Sequence, residues 1–194
     1  MKRSAPQLRT RRVFLRKSRS AASEAIQNSE FRIQNWARVG IGNDLHRLAP
    51  GRKLILGGVR IPFEKGPVGH SDGDALAHAI CDALLGAAAL GDIGRHFPNS
   101  SPKWRNASSL LFLEQTRRLL AKAGFAIVNV DATIGLERPK LAPYIPAMRN
   151  KLAAALGIKP EQVSVKAKTG EGVDAVGQGL AIRADAIALI SHTD

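Results

Sequence analysis

Small, apolar and polar positions along this chain change their spacing several times, and each change predicts a secondary-structure element. Small and apolar residues alternate over 39–46, a spacing typical of a strand. Two short apolar segments, 54–56 and 59–61, flank Gly57-Gly58, a dipeptide that favours the tight turn of a hairpin. Residues 62–69 carry two prolines and two glycines, and we expect a loop there.

The middle of the chain is predominantly helical. We expect one helix over 75–89, whose many alanines permit close packing against a sheet. A second helix is expected over about 107–124, with Gly124 ending it. The segment between them, 91–102, contains glycines, prolines and hydroxyl side chains, a composition that often marks functional loops inside compact domains.

Strands and one more helix follow in the last third. Residues 125–136 are typical of a long buried strand, and residues 162–169 alternate with a period of two. A helix over about 144–156, ended by Gly157, separates these strands, and 180–190 provide a last strand. This order predicts an α/β or α+β class, with a single β-sheet and helices on one face.

The composition fits one globular domain and limits the side chains that could bind a metal. The chain has 194 residues, of which 44% are hydrophobic and 23% charged, enough for one well-formed core. No apolar segment approaches the ~20 residues that a membrane-spanning helix needs, so we expect no membrane partner. The single cysteine, Cys81, excludes an internal disulfide and a cysteine-rich zinc finger, so any bound metal must have nitrogen and oxygen ligands.

The net charge of +13 is concentrated near the N-terminus. Residues 1–38 contain ten Lys and Arg and two acidic residues, whereas the remaining 156 contain nineteen basic and fourteen acidic residues. We therefore divide the chain into a basic, disordered or weakly helical extension, 1–36, and a domain, 37–194. The extension fits an organellar transit peptide, a basic arm that touches nucleic acid or anionic lipid, or a dispensable segment.

A short segment, 70–78, combines two imidazoles and two carboxylates within an alanine-rich region. The order Ser71-Asp72-Gly73-Asp74 is typical of a helix start, where a hydroxyl caps the helix and carboxylates interact with its dipole. His78 then falls in the second turn of the helix, while His70 lies outside it. The segment therefore contains more ionisable side chains than the start of a helix requires.

Upstream, Asp44 and His46 are two residues apart, so on a strand both side chains point to the same face. Two histidines and one carboxylate with an open fourth position form a common catalytic zinc site. The chain supplies that set in Asp44, His46 and His78. His70 is then a further imidazole that the metal does not need. However, Asp-x-His pairs also occur by chance and a lone helical histidine is commonly just solvated, so the spacing leaves both interpretations open.

Five motifs, in order, resemble one enzyme family. They are Gly-Ile-Gly-Asn-Asp-Leu-His-Arg-Leu (40–48), Gly-His-Ser-Asp-Gly-Asp with His78 (69–78), Leu-Gly-Asp-Ile-Gly with Phe-Pro (90–98), Arg-Pro-Lys-Leu (138–141) and Val-Lys-Ala-Lys-Thr-Gly-Glu (165–171). Together they make residues 38–190 similar to the 2-C-methyl-D-erythritol 2,4-cyclodiphosphate synthases of the non-mevalonate isoprenoid pathway.

This resemblance implies a fold, an assembly and a reaction. It implies a mixed sheet with outer helices, in a homotrimer whose sheets pack around the threefold axis and whose active sites lie between subunits. In the reaction, the 2-phosphate of 4-diphosphocytidyl-2-C-methyl-D-erythritol 2-phosphate attacks the β-phosphorus of the same molecule, which releases CMP and closes a cyclic diphosphate. Such a phosphorus-oxygen lyase needs no protein nucleophile. No nucleic-acid partner is implied, and the location is cytoplasmic unless the basic extension directs the chain to a plastid-type organelle.

The resemblance also implies two metal ions. Zinc, or another divalent cation, would bind Asp44, His46 and His78 and take a diphosphate oxygen as its fourth ligand. A second ion, Mg²⁺ or Mn²⁺, would bind at the substrate diphosphate with help from Glu171. His70 and Thr169 match catalytic positions beside these phosphates.

The remaining family positions match substrate contacts. His70 and Ser71 would face the phosphates and erythritol, 92–94 and 97–101 would form the erythritol loop, and 136–142 of a neighbouring subunit would form the cytosine pocket. The complete predicted set of substrate contacts is Asp44, His46, His70, Ser71, Asp92, Ile93, Gly94, Phe97, Pro98, Asn99, Ser100, Ser101, Leu136, Glu137, Arg138, Pro139, Lys140, Leu141, Ala142, Lys168, Thr169, Gly170 and Glu171.

Two features keep other functions open. Asn99-Ser100-Ser101 stands where many relatives have Asp-Thr-Asp, which favours, as the alternative, a divalent-metal phosphohydrolase or nucleotidase on the same scaffold with water as the nucleophile. The basic extension favours, as a third function, a nucleic-acid or membrane-surface binder whose binding depends strongly on salt.

Overall fold

Seven strands and four helices form the regular structure of residues 37–193, the part of the chain that the computed structural model describes. The strands are β1 (Ala37–Pro50), β2 (Leu54–Leu56), β3 (Val59–Ile61), β4 (Lys65–Pro67), β5 (Phe125–Gly135), β6 (Val163–Lys168) and β7 (Ala181–His192). The helices are α1 (Ala75–Ala87), α2 (Ile93–His96), α3 (Ser109–Lys122) and α4 (Ile145–Leu156). The predicted extension, 1–36, lies outside the described residues.

Five of the strands form one mixed sheet in the order β4-β1-β7-β5-β6. Neighbouring strands are antiparallel except β5 and β6, which are parallel. The hairpin of β2 and β3 forms a separate two-stranded sheet, so the prediction of a single sheet is wrong for this hairpin. Its strands are three residues each, and their buried side chains, Leu54, Leu56 and Ile61, join the main core instead of extending the sheet.

The predicted helices and strands are present within a few residues of the expected bounds, with three local differences. Strand β4 lies inside the predicted loop 62–69, and helix α2 lies inside the predicted loop 91–102. Helix α1 begins at Ala75, but its N-cap is Asp74 and not Ser71: the Asp74 side chain accepts a hydrogen bond from the Ala77 amide. These differences depend on tertiary contacts, such as the pairing of β4 with the end of β1.

Helix α1 packs directly on β1 because two glycines remove the side chains between them. A Cβ at Gly40 or Gly42 would overlap the carbonyl oxygens of Ala83 or Ala79 in α1. The helix presents mainly alanines to the sheet, so backbone meets backbone at this contact. The prediction of close packing from the alanines of α1 is therefore confirmed. The glycines of β1 also contribute to this close contact.

The two faces of the sheet differ in burial. Residues facing the helices, including Ile182, Ala184, Ala186 and Ala188 of β7, are fully or almost fully buried. On the opposite face, Val39, Ile41, Leu45 and Ile187 are 66%, 71%, 62% and 50% exposed. Ile41 and Ile187 are register partners and form the centre of this apolar strip, which we call the open face.

No helix among residues 37–193 combines the length and apolar character that crossing a membrane would require.

Candidate active site

The structure brings Asp44, His46 and His78 together, as the sequence predicts. Alternation along β1 directs Asp44 and His46 towards the helical side of the sheet, where α1 supplies His78. The Asp44 Oδ2 atom lies 2.9 Å from His78 Nδ1 and 3.3 Å from His46 Nε2. One atom from each residue lies within 4.8 Å of the other two, which makes this the one metal-compatible group of three among residues 37–193.

His46 shows most directly that this group fits a cation. Its Nε2 atom is buried and has no hydrogen-bond partner among the described residues, because the nearby Asp44 oxygen is within ion-pair distance but not aligned for a hydrogen bond. Its Nδ1 atom lies 3.2 Å from the Leu45 carbonyl oxygen, which can only accept, so Nδ1 carries the proton. The Nε2 lone pair therefore points into the group, and two imidazoles with a carboxylate suit a divalent transition metal.

His78 lies in a negative environment. Burial lowers the pKa of its imidazole, but the hydrogen bond and charge of Asp44, with the charges of Asp74 and Asp72, outweigh burial and raise the pKa above its usual value. The same carboxylates that favour a protonated imidazole favour a bound cation at this position. The electrostatics of the group therefore agree with its geometry.

His70 and Ser71 lie in a loop that is held firmly beside the metal group. The His70 carbonyl accepts a hydrogen bond from the Asn106 amide at 3.0 Å, and the Asp72 amide donates to the Ala107 carbonyl at 3.1 Å. On the other side, Arg52 donates to the carbonyl oxygens of Pro67 and Gly69 at 3.3 and 3.1 Å. The His70 Nε2 atom is buried without a hydrogen-bond partner among the described residues, so it is available to a ligand.

A cavity of about 290 Å³ adjoins the metal group. The predicted site residues that line it are Asp44, His46, His70, Ser71, His78, Ile93, Gly94, Phe97 and Asn99. Among the residues predicted for the erythritol loop, Asp92, Pro98, Ser100 and Ser101 do not line it. Asp92 instead caps α2, accepting from the Arg95 amide at 2.9 Å.

Three aromatic residues form one wall of this cavity. Phe97 and Phe112 stack with ring centroids 4.7 Å apart, and Trp104 meets both rings edge-on at 5.2 and 5.4 Å. Phe112 also stacks on the His78 imidazole at 6.0 Å. Trp104 and Phe112 were not predicted as site residues, because nothing in their local sequence distinguishes them from ordinary core residues.

Asp82 connects α1 to the loop at this cavity. Its carboxylate accepts a hydrogen bond from the Ile93 amide at 2.7 Å, which holds Ile93 and Gly94 at the cavity wall. Burial raises the pKa of this carboxyl group. The predicted contribution of Ile93 and Gly94 to the site thus depends on a side chain one helical turn after His78.

A second group of predicted residues lies elsewhere, around a cavity of about 190 Å³ at the ends of β5 and β6. It is lined by Leu136, Glu137, Pro139, Lys140, Leu141, Ala142, Ala167, Lys168 and Thr169. The Glu137 carboxylate accepts from the Gly170 amide at 3.0 Å, and the exposed Thr169 hydroxyl donates to Glu171 at 2.5 Å. Arg138 lines a different cavity, with Glu64 and Lys65.

The two groups do not meet within one protomer. The metal group depends on β1 and the second group on β6, and β7 and β5 lie between these strands. Three strand spacings correspond to ~14 Å. The two cavities share no lining residue. The two groups are therefore separate sites within one protomer.

Comparison with known proteins places these features in a family. The YgbB family matches residues 37–191. The 2-C-methyl-D-erythritol 2,4-cyclodiphosphate synthase of Moorella thermoacetica is 54% identical over 153 residues, which cover 79% of this chain and 94% of that protein. The enzyme of the same name from Gloeobacter violaceus is 56% identical over 155 residues, covering 80% of this chain and 95% of its own.

A solved structure has the same fold. It is a 2C-methyl-D-erythritol-2,4-cyclodiphosphate synthase in a CDP-bound form, with a TM-score of 0.73 and 39% sequence identity. The match covers 79% of this chain and 99% of that one. Sequence and fold agree over nearly the whole described part of the chain, and the chain therefore belongs to the YgbB family.

Proposed function

We propose that the chain is a 2-C-methyl-D-erythritol 2,4-cyclodiphosphate synthase, a phosphorus-oxygen lyase of the non-mevalonate isoprenoid pathway. It converts 4-diphosphocytidyl-2-C-methyl-D-erythritol 2-phosphate to the 2,4-cyclodiphosphate and releases CMP. The observation that carries the proposal is the convergence of Asp44, His46 and His78 beside His70 and Ser71 in a chain of this family. The names of the relatives supply the substrate.

The chain's own contribution to this reaction is positioning and charge. The substrate provides its own nucleophile, so the site must align the 2-phosphate with the diphosphate and balance negative charge. A divalent cation held by Asp44, His46 and His78, zinc by preference, would supply Lewis-acid stabilisation of charge on a diphosphate oxygen. His70, whose Nε2 atom is buried and unpartnered among the described residues, is placed to donate to a phosphate oxygen beside it.

The cavity walls suit the erythritol part of the substrate. Ser71 and the Ile93-Gly94 segment supply polar backbone and hydroxyl groups, and the aromatic wall of Phe97, Trp104 and Phe112 excludes water from one side. Exclusion of water matters because water would compete with the 2-phosphate as a nucleophile. The wall thus favours ring closure over hydrolysis.

The second group suits the cytidine part. Residues 136–142 form a loop around a small cavity, with Lys140 and Lys168 at its rim as phosphate partners. Binding of CDP by a relative of the same fold supports a cytidine nucleotide at this kind of site. Thr169 and the Glu171 carboxylate lie together at the edge of this group, and we assign Thr169 to the reacting diphosphate and Glu171 to a second ion, Mg²⁺ or Mn²⁺.

We further propose a homotrimer in which the metal group of one protomer faces the second group of its neighbour. Two observations support it. The two groups are separated within a protomer, and the apolar open face lies on the side of the sheet that no helix of residues 37–193 covers. Exposed apolar strips of this kind mark protein interfaces. Residues 37–194 form the catalytic unit in this arrangement, and the extension 1–36 is dispensable for the chemistry.

The test is CMP release from the cytidylylated substrate, with phosphorus NMR of the second product. We expect a cyclic diphosphate, with activity lost on chelation of divalent metal and in His78→Ala, and kept when residues 1–36 are deleted. A folded, metal-loaded protein that released no CMP would contradict the proposal. A linear product would instead support the phosphohydrolase, which the presence of Asn99 at the cavity keeps as the second candidate.

A further inference from the structure

The Nε2 atom of His78, on the side away from Asp44, contacts a hydroxyl that the motifs do not include. It lies 2.9 Å from Ser109 Oγ at the start of α3, and 3.1 Å from Ser71 Oγ. Ser109 is fully buried. Its hydroxyl also lies 2.5 Å from Asp72 Oδ1, and its backbone amide lies 3.0 Å from Asp72 Oδ2.

The direction of each hydrogen bond in this chain of contacts is fixed by chemistry. An ionised carboxylate only accepts, so both Ser109 groups donate to Asp72: the amide to Oδ2 and the hydroxyl to Oδ1. The single hydroxyl proton of Ser109 is then committed, and its oxygen can only accept from His78. His78 Nε2 must therefore carry a proton. A cation would compete only for Nδ1, where it would replace the proton that Nδ1 donates to Asp44 Oδ2.

We propose that Asp72 and Ser109 are positioning residues that hold His78 with its proton on Nε2, and so keep the Nδ1 lone pair available to a divalent cation bound with Asp44 and His46. The inference rests on the proposed metal site and explains how that site selects one nitrogen of His78. Partners of this kind on the outer nitrogen of a histidine fix its orientation and tautomer.

The backbone around these residues is held in place by hydrogen bonds. The contact between Ser109 and His78 therefore does not depend on side-chain rotation alone. The Asp72 amide donates to the Ala107 carbonyl at 3.1 Å, which fixes the distance between the loop and the start of α3. Ser71 is the weaker partner of His78, because its oxygen is farther away and also accepts from the Gly73 amide at 3.3 Å. It can replace Ser109 only in part.

A change from Asp72 to Asn should reverse the direction of these hydrogen bonds. The Ser109 amide still needs an acceptor at 3.0 Å, so the single Asn oxygen occupies the Oδ2 position and the side-chain NH₂ faces Ser109 Oγ. The competing donor, the Asp74 amide, is longer at 3.3 Å. The Ser109 hydroxyl would then accept from Asn and donate to His78 Nε2, which moves the imidazole proton to Nδ1 and blocks the cation.

The experiment measures zinc affinity of the full-length protein by competition with a chromophoric chelator. We expect Ser109→Ala to raise the zinc Kd about 10-fold and Asp72→Asn about 100-fold, the range seen when such partners of metal ligands are removed. Ser108→Ala is the matched control, because Ser108 is exposed and its side chain caps nothing in the structure. Its Kd should equal that of the wild type.

The tautomer is read independently by nitrogen NMR of histidine-labelled protein with zinc bound. A protonated Nε2 on His78 in the wild type supports the inference, and a protonated Nδ1 overturns it. An Asp72→Asn protein that folds and binds zinc as well as Ser109→Ala also overturns it, since a purely structural role predicts that the isosteric change is the milder one. Failure of the wild type to bind zinc would instead contradict the proposed metal site.

Discussion

Asp74 joins the site to the core through one buried side chain. Its Oδ1 atom accepts from the amides of Gly57 and Ala77 at 2.9 and 3.1 Å, and its Oδ2 atom accepts from Gly58 at 2.7 Å. The carboxylate thus caps α1 and anchors the turn between β2 and β3. Burial nevertheless outweighs these hydrogen bonds and raises the pKa of Asp74 to about 6.

This shift predicts a pH-dependent stability. The ordinary pKa of 3.8 lies below that of the folded state, so the folded protein binds the proton more tightly than the unfolded chain. The contribution of Asp74 is then greatest below pH 3.8 and is lost as the pH rises through about 6. We expect the stability of the wild type relative to Asp74→Asn to fall by about 2 kcal/mol between pH 4 and pH 7.

The measurement is chemical denaturation of both proteins at equal concentration and without metal. Taking the difference between wild type and variant removes the effect of other titrating groups. A difference that grows with pH would show that the three amide hydrogen bonds dominate over burial.

Single residues of the site differ in how far the sequence could reveal them. Asp44 and His46 could be predicted to share a face because they are two residues apart on a strand. Spacing alone left the metal site with His78 open, and the resemblance to the family supplied it. Ser109 could not, because it meets His78 across 31 residues of sequence through a contact that only packing creates. Trp104 and Phe112 have apolar side chains, which local sequence assigns to the core whether or not a cavity adjoins them.

At the scale of elements, the contact between β1 and α1 sets the geometry of the metal group. Asp44 and His46 lie on the strand and His78 on the helix, so the distance between these elements fixes the distance between the ligands. The close approach depends on Gly42, where a Cβ would overlap the backbone of α1. A shift of the helix would separate His78 from its two partners.

We therefore expect Gly42→Ala to lower the free energy of unfolding by at least about 2 kcal/mol, because overpacking forces the helix away from the strand. Zinc content per chain should fall with it. Gly86→Ala is the matched control at the same contact, since the nearest atom to its Cβ would be the Ile41 carbonyl oxygen at 3.9 Å. There we expect a gain of about 0.5 kcal/mol from helix propensity.

Thermal unfolding and metal analysis of the two variants check this prediction. Equal stability of Gly42→Ala and the wild type would mean that α1 can move without cost. Unfolding midpoints should be compared at one protein concentration, because assembly contributes to stability.

The type of an element could be predicted from the sequence where its periodic pattern extends over many residues. Strands β5, β6 and β7 and helices α1, α3 and α4 repeat their pattern over several turns or residues, so local sequence determines their type. Strand β4 and helix α2 have three and four residues, too few for a period. Their structure comes from partners far along the chain, namely β1 for β4 and the Asp82 carboxylate for α2.

At the scale of the whole molecule, the open face is the feature that a single protomer leaves unexplained. Ile41 and Ile187 lie at its centre, and their exposed fractions are 71% and 50%. A buried glutamate at position 41 would be costly in a protein interface. We expect Ile41→Glu to dissociate the proposed homotrimer and abolish CMP release while each chain still binds zinc.

Sedimentation velocity and metal analysis check this expectation. Leu111→Glu is the matched control, because Leu111 is also exposed, at 44%, but lies on α3. It should leave the assembly and activity unchanged. An Ile41→Glu protein that sediments as the wild type would place the interface elsewhere.

The separation of the two residue groups on the sheet has a genetic consequence. If each catalytic unit takes its metal group from one chain and Thr169 from the next, two inactive alleles can complement each other in one cell. Random mixing of His78→Ala and Thr169→Ala chains would restore about a quarter of the sites in a cyclic trimer. Coexpression followed by the CMP assay would measure this recovery, whereas a site contained within one chain would recover nothing.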